Sequence, residues 1–356
     1  MKKSLIALAV ASVVSAPAFA ATSNVDVYGI FGVAFDMVNL DDSTSDDKAN
    51  RVSSTSSRIG FKGSEDLGGG LSGVWQIENG VDLDAGGNGW ASRNTFLGLS
   101  SKELGTALLG KHDTAYKMAT GKLDVFSDTI ADYNTIVGST SDTASSGFSV
   151  FDTRANDSVS YMSPSMSGLS LGLTYGARDE TAFDAADTNL WSAAVSYANG
   201  PLFASLAYEK INDFGGTNLA KGTDRKGMKL GAGYTFGNTT IGGLYERLSE
   251  TGTTVADRNA WYVSAKHAMG NIALKAAYGK AGDSDAGVTD DGAKYYAIGA
   301  DYSLSKRTTA YALYTKLSNE TAGTYDLGGS ASTGGVINTT LGADPSAFSI
   351  GVKHSF

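Results

Sequence analysis

Apolar and small polar residues alternate along most of this chain. In the segment NLWSAAVSYAN, residues Trp191, Val195 and Tyr197 share one face, while serine and alanine fill the other. A period of two is typical of β-strands that present one apolar face. The same alternation recurs in four further segments: 168–176, 227–236, 271–279 and 348–356.

The connections between these strands alternate between tight turns and long polar loops. The tight turns are 66–70, 102–105, 163–168, 198–201, 236–238, 268–271 and 304–307. The long loops are 39–53, 82–91, 117–153, 178–188, 212–226, 250–258, 281–292 and 318–344. They separate sixteen runs, each near the roughly 10 residues that a membrane-crossing strand needs. The pattern predicts an all-β fold, a 16-stranded antiparallel transmembrane β-barrel. Only LDVFSDTIADY (123–133) has the apolar spacing of a short helix.

A soluble β-sandwich or solenoid is the alternative interpretation of the same strands. A sandwich buries its apolar faces against each other and does not need loops that alternate strictly in length. The polar face of these strands is also made mostly of Gly, Ala, Ser and Thr. Small polar residues suit the wall of a wide, water-filled barrel. The pattern therefore favours the barrel.

The N-terminus carries the features of a secretory signal peptide. Lys2 and Lys3 precede an apolar run of ten residues, and Ala18-Phe19-Ala20 has the form of a cleavage site. The sequence therefore predicts a cleaved signal peptide at 1–20 and a single barrel domain at 21–356. The apolar run is too short for a membrane-spanning helix.

Composition narrows the function further. The whole chain has 28 Lys and Arg against 37 Asp and Glu, a net charge of −9, and it has no Cys. The predicted leader holds two of the lysines and no acid, which makes the mature charge −11. Such acidity argues against nucleic acid as a partner, and the absence of Cys excludes a disulfide framework.

Several segments together resemble the general diffusion porins of Gram-negative bacteria of the β-proteobacterial and Neisserial type. They are SSRIGFKGSEDLGGGLSGVWQIE, SRNTFLGLSS, TALLGKHDTAY, RANDSVSYMSPSMSGLSL, ADYSLSKRTTAYALYT and FSIGVKHSF, in chain order. The resemblance implies a trimeric outer-membrane barrel whose third long loop, here about 117–153, folds into the lumen as a constriction. It also implies that the terminal Phe356 is read by the outer-membrane assembly machinery.

The third long loop supplies candidate acidic residues for a constriction. Asp124, Asp128 and Asp132 are spaced four apart, so a helix would place them on one face. The alternative is a solvated acidic surface. Fixed charges act most strongly where water is confined, so acids at a narrow point would influence permeation.

The facing wall needs cations, and the strands on either side of the first long loops carry them. Arg58 and Lys62 share a face of the second strand, which should be the water-filled side because charge on the lipid face costs about 2–4 kcal/mol at midplane. Arg93, Lys111 and Arg154 lie on or beside the strands that follow. The resemblance matches Arg58, Arg93 and Arg154 to the family's constriction arginines; ordinary lumen-lining charge is the alternative for all five. A cluster of arginines favours weak anion preference, and the loop acids oppose it.

Three other functions remain to be compared with this hypothesis. An enzyme is disfavoured because the histidines, His112, His267 and His354, are far apart and no nucleophile motif occurs. A substrate-specific channel with an aromatic lining and a plugged adhesin or structural barrel are the other two. We expect no cofactor and no metal. The expected partners are two further copies of the chain, outer-membrane lipids and lipopolysaccharide, the assembly machinery, and small hydrophilic solutes and ions.

Overall fold

The computed structural model describes most of the chain outside several loops and the N-terminus. The described residues are 24–41, 48–86, 89–138, 151–177, 189–212, 224–251, 257–285, 289–328 and 340–356. The predicted signal peptide at 1–20 lies outside them. None of the helices in these ranges is long and apolar enough to cross a membrane.

The described residues form seventeen β-strands, one short helix and two 3₁₀ turns. The strands are β1 (Asn24–Asn39), β2 (Lys48–Ser54), β3 (Arg58–Gly68), β4 (Leu71–Gly80), β5 (Thr95–Ser101), β6 (Gly105–Asp113), β7 (Arg154–Met162), β8 (Leu169–Gly176), β9 (Asn189–Asn199), β10 (Leu202–Asn212), β11 (Asp224–Phe236), β12 (Thr239–Thr251), β13 (Arg258–Met269), β14 (Ile272–Ala281), β15 (Ala293–Ser303), β16 (Thr308–Asn319) and β17 (Ser346–Ser355). The helical elements are α1 (Ala115–Thr120) and the 3₁₀ turns Gly121–Leu123 and Tyr133–Thr135.

The strands close into a barrel of sixteen antiparallel strands, as the sequence predicts. Each strand pairs with its neighbours in chain order, and β1 pairs with β17 to complete the ring. The last residue takes part, since the backbones of Gly29 and Phe356 exchange two hydrogen bonds of 3.1 Å. Seventeen segments make sixteen strands because β2 and β3 pair with successive halves of β1. They are one barrel strand, interrupted at Ser56, whose φ is +50°.

Alternate residues of each strand lie on two chemically different faces. The apolar face exposes large side chains such as Leu206, Leu230 and Ile298, which are 51%, 57% and 63% exposed. The polar face carries small or charged residues such as Ala207 and Lys229, which are buried. The predicted alternation is therefore confirmed.

Two local predictions are wrong. Residues 39–53 were expected to be a loop, but Lys48–Ser54 is strand β2. This strand resembles a loop in the sequence because most of its side chains are polar. Its apolar Val52 lies opposite Phe35 on the apolar face. The segment 123–133 was expected to be helical, but between Asp124 and Asp132 it forms successive turns. The seven tight turns lie where the sequence predicts them.

Candidate functional site

The residues that follow β6 cross the polar face of the barrel wall. We call residues 114–138 the loop segment. Its helix α1 begins at Thr114, whose hydroxyl accepts from the backbone N–H of Lys117. The backbone N–H groups of Ala115 and Tyr116 donate to side-chain hydroxyls on β8 and β9, at 3.2 Å and 2.9 Å. Wall side chains therefore satisfy the free donors of the first helical turn.

Apolar side chains of the loop segment fit against glycines of the wall. Leu123, Phe126 and Ile136 are at most 5% exposed. A Cβ placed on Gly231 would lie 2.7 Å from Leu123, and one on Gly279 would lie 2.4 Å from Ile136. The missing side chains provide the space, so these glycines position the loop segment closely against the strands.

A buried group of charges holds both ends of this segment to the wall. Lys229 on β11 forms ion pairs with Asp152 and, at 3.9 Å, with Glu246; all three side chains are fully buried. Glu246 also accepts from the hydroxyl of Tyr116 at 2.8 Å and from the backbone N–H of Gly138 at 2.7 Å. Because each charge has partners, the group avoids the large cost of an isolated buried charge.

Two of the three predicted loop acids are buried and serve as backbone acceptors. Asp124 accepts from the N–H groups of Phe126 and Tyr133 at 2.9 Å and 3.1 Å. Asp132 accepts from the N–H of Asn134 at the start of the second 3₁₀ turn. Burial raises the pKa of Asp124 to about 6, and burial and the charge of Asp124 raise the pKa of Asp132 as well. The prediction that the three acids share one helical face is wrong.

Asp128 is the predicted loop acid that meets a predicted wall cation. It lies at the turn of the loop segment with φ +57°, and its side chain is 26% exposed. Its carboxylate is 3.4 Å from the guanidinium of Arg58. The loop segment thus crosses from β6 to the wall beside β1, and an acid and a base meet at its far end.

The other two predicted arginines lie beside acids on the adjoining strands. Arg93 is 2.6 Å from Glu78, which also accepts from the hydroxyl of Tyr28. Arg154 is 3.2 Å from Asp113 and donates to Asn94 at 3.0 Å. Arg58 pairs with Gly80, two positions from Glu78 on the same face of β4, and Asn94, which accepts from Arg154, is the residue next to Arg93. The structure therefore brings the three arginines into one charged region.

The two predicted lysines lie differently. Lys62 is exposed on the polar face, with its ammonium 5.0 Å from the ring centre of Tyr28. Lys111 alternates with Leu108 and His112, which are buried, and shares the face of Leu109, which is 64% exposed. The expectation that Lys111 lies on the polar wall is therefore wrong, since strand geometry points successive side chains to opposite faces.

Lys353 and Lys117 are two of the cations beside the loop segment that were missed in the sequence. Lys353 on β17 donates to the backbone carbonyl of Ser127 at 2.7 Å. Lys117 in α1 is 3.2 Å from Asp113. Lys353 had a usable signal, because it alternates with the apolar Val352 and so belongs to the polar face. Its contact with a residue 226 positions away has no signal in a single sequence.

The histidines, which an enzyme or a metal site would use, lie on different strands and contact neighbouring side chains. His112 packs against Phe96, while His267 and His354 pair with threonines on the neighbouring strands. Within the described ranges, no three His, Cys, Asp or Glu side chains are grouped as metal ligands would be.

Comparisons with known proteins agree with this architecture. The sequence model of a family described as Gram-negative porin matches residues 7–322. Outer membrane porin protein 32 of Delftia acidovorans is 30% identical over 366 residues, covering both chains completely. Major outer membrane protein P.IB of Neisseria sicca is 28% identical, covering 87% of this chain and 92% of that one. The solved anion-selective porin from Comamonas acidovorans superimposes with a TM-score of 0.82 at 27% identity, covering 94% and 100% of the two chains.

Proposed function

This chain belongs to the Gram-negative porin family, and we propose that its loop segment and the arginines near it form the constriction of the channel. It is an outer-membrane porin, a closed β-barrel through which ions and small hydrophilic solutes diffuse. A membrane barrel turns its apolar face to lipid and its polar face to water. The loop segment, which packs on the polar face, then lies in the lumen.

The contact between Arg58 and Asp128 is the observation that carries this proposal. The two groups are 3.4 Å apart although 70 positions separate them, and both are partly exposed. Lys353 touches the preceding loop residue from the neighbouring strand. The segment therefore divides the cross-section, and permeating solutes pass its exposed side and the adjoining charged wall.

The balance of charge in this region supports weak anion preference. Five cations lie in or beside it: Arg58, Lys117, Arg93, Arg154 and Lys353. Three carboxylates are paired with them, from Asp128, Glu78 and Asp113. The excess is two positive charges. Asp124 and Asp132 are buried, and where they are ionised their charge opposes this excess, which keeps the preference weak. The anion-selective porin from Comamonas has the same fold.

The aromatic residues near the loop argue against a substrate-specific channel with an aromatic lining. Of the five aromatic residues that could form such a lining, four are at most 4% exposed: Tyr116, Phe126, Tyr133 and Phe151. They pack the loop segment against the wall and offer no surface to a solute, and the fifth, Phe148, lies outside the described residues. We propose a channel without catalytic activity or cofactor. The resemblance further supports a homotrimer, contact with outer-membrane lipid, and recognition of Phe356 during assembly.

Reversal potentials in planar bilayers test the charge assignment. With a salt gradient across the membrane, Arg58→Gln/Arg93→Gln should move the reversal potential toward that of a cation-selective pore, because two positive charges leave the constriction. Lys306→Gln is the matched control, since this exposed lysine lies in a tight turn between β15 and β16. Unchanged selectivity in the double variant would contradict the assignment of these arginines.

A further inference from the structure

A repeated motif places cations on the outer, apolar face of one arc of the barrel. On five strands a tyrosine of that face is accompanied, two positions nearer the long loops, by a lysine or arginine. The pairs are Tyr208 and Lys210, Tyr245 and Arg247, Tyr278 and Lys280, Tyr296 and Lys294, and Tyr314 and Lys316. Lys226 stands in the same relation to Met228 on β11. We call these six cations the basic row.

The register brings like charges directly opposite one another in this row. Lys210 pairs with Lys226 across β10 and β11, and Lys280 pairs with Lys294 across β14 and β15. Opposed residues on one face have Cβ atoms about 4.5–5.5 Å apart, and like charges there are destabilising. An anion placed between the two lysines would remove the repulsion.

Acidic side chains pair with four cations of the row, whereas two of its lysines have no ion pair within the described part of the chain. Lys210 is 2.8 Å from Asp224, and Lys280 is 3.9 Å from Glu320. Arg247 and Lys316 have acidic partners as well. Lys226 and Lys294 form no ion pair with any residue that the structure describes. Each opposed pair therefore combines one lysine that has an acidic partner with one that has none among the residues described.

The tyrosines fix the depth of the row in the membrane. The ring of Tyr278 packs edge-on against Trp261 and at a tilt against Tyr296, with ring centres 5.1 Å and 4.9 Å apart. Aromatic belts of this kind lie at the level of the lipid headgroups, and the long loops of such barrels are extracellular. The basic row lies two residues closer to the long loops than the aromatic belt does. At that level lysine side chains extend into the headgroup layer.

We propose that the basic row binds phosphate groups of outer-leaflet lipid, with Lys226 and Lys294 as its principal contacts. The orientation rests on the proposed function, because it needs a barrel whose long loops face outward. The partner is a lipid and not free phosphate, since the cations lie on the lipid-facing side of neighbouring strands, beside the aromatic belt. Anionic headgroups attract each lysine of such a surface.

Native mass spectrometry of the detergent-solubilised protein tests this proposal. The probes are diphosphoryl lipid A, phosphatidylcholine and inorganic phosphate. Lys226→Gln/Lys294→Gln should weaken binding of diphosphoryl lipid A by roughly twenty-five-fold, which corresponds to about fivefold for each lysine. Lys226→Arg/Lys294→Arg should bind as the parent protein does, because both charges remain.

The matched control removes two lysines at the opposite end of the barrel. Lys102→Gln/Lys306→Gln changes exposed residues of two tight turns and should leave lipid A binding unchanged. Equal losses in both double variants, no loss in either, or displacement of the lipid by inorganic phosphate would overturn the proposal. Planar-bilayer conductance of the same samples separates the two hypotheses, since a protein that binds lipid A but conducts no ions would contradict only the channel function.

Discussion

Replacing Lys229 with methionine should release the loop segment from the barrel wall. Methionine approximates the length of lysine but has no charge. Lys229 is fully buried between Asp152 and Glu246, whose side chains are also fully buried. The variant therefore leaves two fully buried carboxylates and removes the cation that both of them contact.

The remaining partners set the size of the effect. Breaking a buried ion pair by removing one member costs about 3–5 kcal/mol. Asp152 keeps a hydrogen bond of 2.9 Å from Asn134. Glu246 keeps those from Tyr116 and Gly138, and it also keeps an ion pair of 3.6 Å with the buried Arg258. We therefore expect the lower end of the range. About 3 kcal/mol corresponds to roughly a hundredfold change in the equilibrium between the attached and the released loop.

Hydrogen–deuterium exchange of the assembled protein measures this equilibrium segment by segment. Amide protection across residues 121–138 should fall by roughly a hundredfold in Lys229→Met, because local opening governs their exchange. Strands β3 to β5, which do not contact Lys229, should keep their protection. Lys266→Met is the matched control, since this lysine lies on the next-but-one strand and is exposed.

A double variant separates the charge effect from loss of packing. Lys229→Met/Asp152→Leu removes the cation together with one of its anions, and such apolar replacements are often close to neutral. Most of the lost protection should return. If Lys229→Met leaves the loop segment fully protected, or if the double variant exchanges even faster than the single one, the reasoning from buried charge is refuted.

Three further predictions follow from the packing of the loop segment and from the closure of the barrel between β1 and β17. Burial raises the pKa of Asp124 from 3.8 to about 6, so loop protection should be greatest below pH 4 and fall as the pH rises through 6. In Asp124→Asn the fall should be smaller but not absent, because burial still raises the pKa of Asp132. A pH profile identical to that of the parent protein would contradict the role of Asp124. Gly231→Val would clash with Leu123, 2.7 Å from the added Cβ, and should lower single-channel conductance, whereas Gly73→Val should not. Phe356→Ala should lower the yield of folded barrel, measured by heat-modifiable migration in gels, more in cells than after refolding in detergent, because only cells contain the assembly machinery. Equal losses of folded barrel would favour a purely structural role for Phe356.

Most of the fold was predictable because strand alternation and turn chemistry are local properties. The tight turns contain glycines with positive φ, such as Gly105 and Gly270, which close antiparallel strands at little cost. The short helix was misplaced because apolar spacing suggested one at 123–133. There the carboxylates of Asp124 and Asp132 bind nearby backbone N–H groups, which stabilises turns in place of helix.

The site was only partly predictable, because its contacts join distant positions. Arg58, Arg93 and Arg154 came from the resemblance, and the structure brings them together. Lys111 was placed wrongly, although it lies two positions after Leu109 and therefore shares the face of that apolar residue. The role of Lys229 could not be derived, since its acidic partner Asp152 lies 77 positions away and no local pattern connects them.

The pairing of β1 with β17 makes the order of strands circular. Asn24 begins the first strand and Phe356 follows the last one, and both lie toward the rim of the barrel that carries the tight turns. A short linker joining the two ends would create one more hairpin of the same kind as the other seven. The chain could then be opened at another tight turn, for example between Gly237 and Asn238, without removing any strand pair. Such a circular permutant would keep the barrel but end on a different strand.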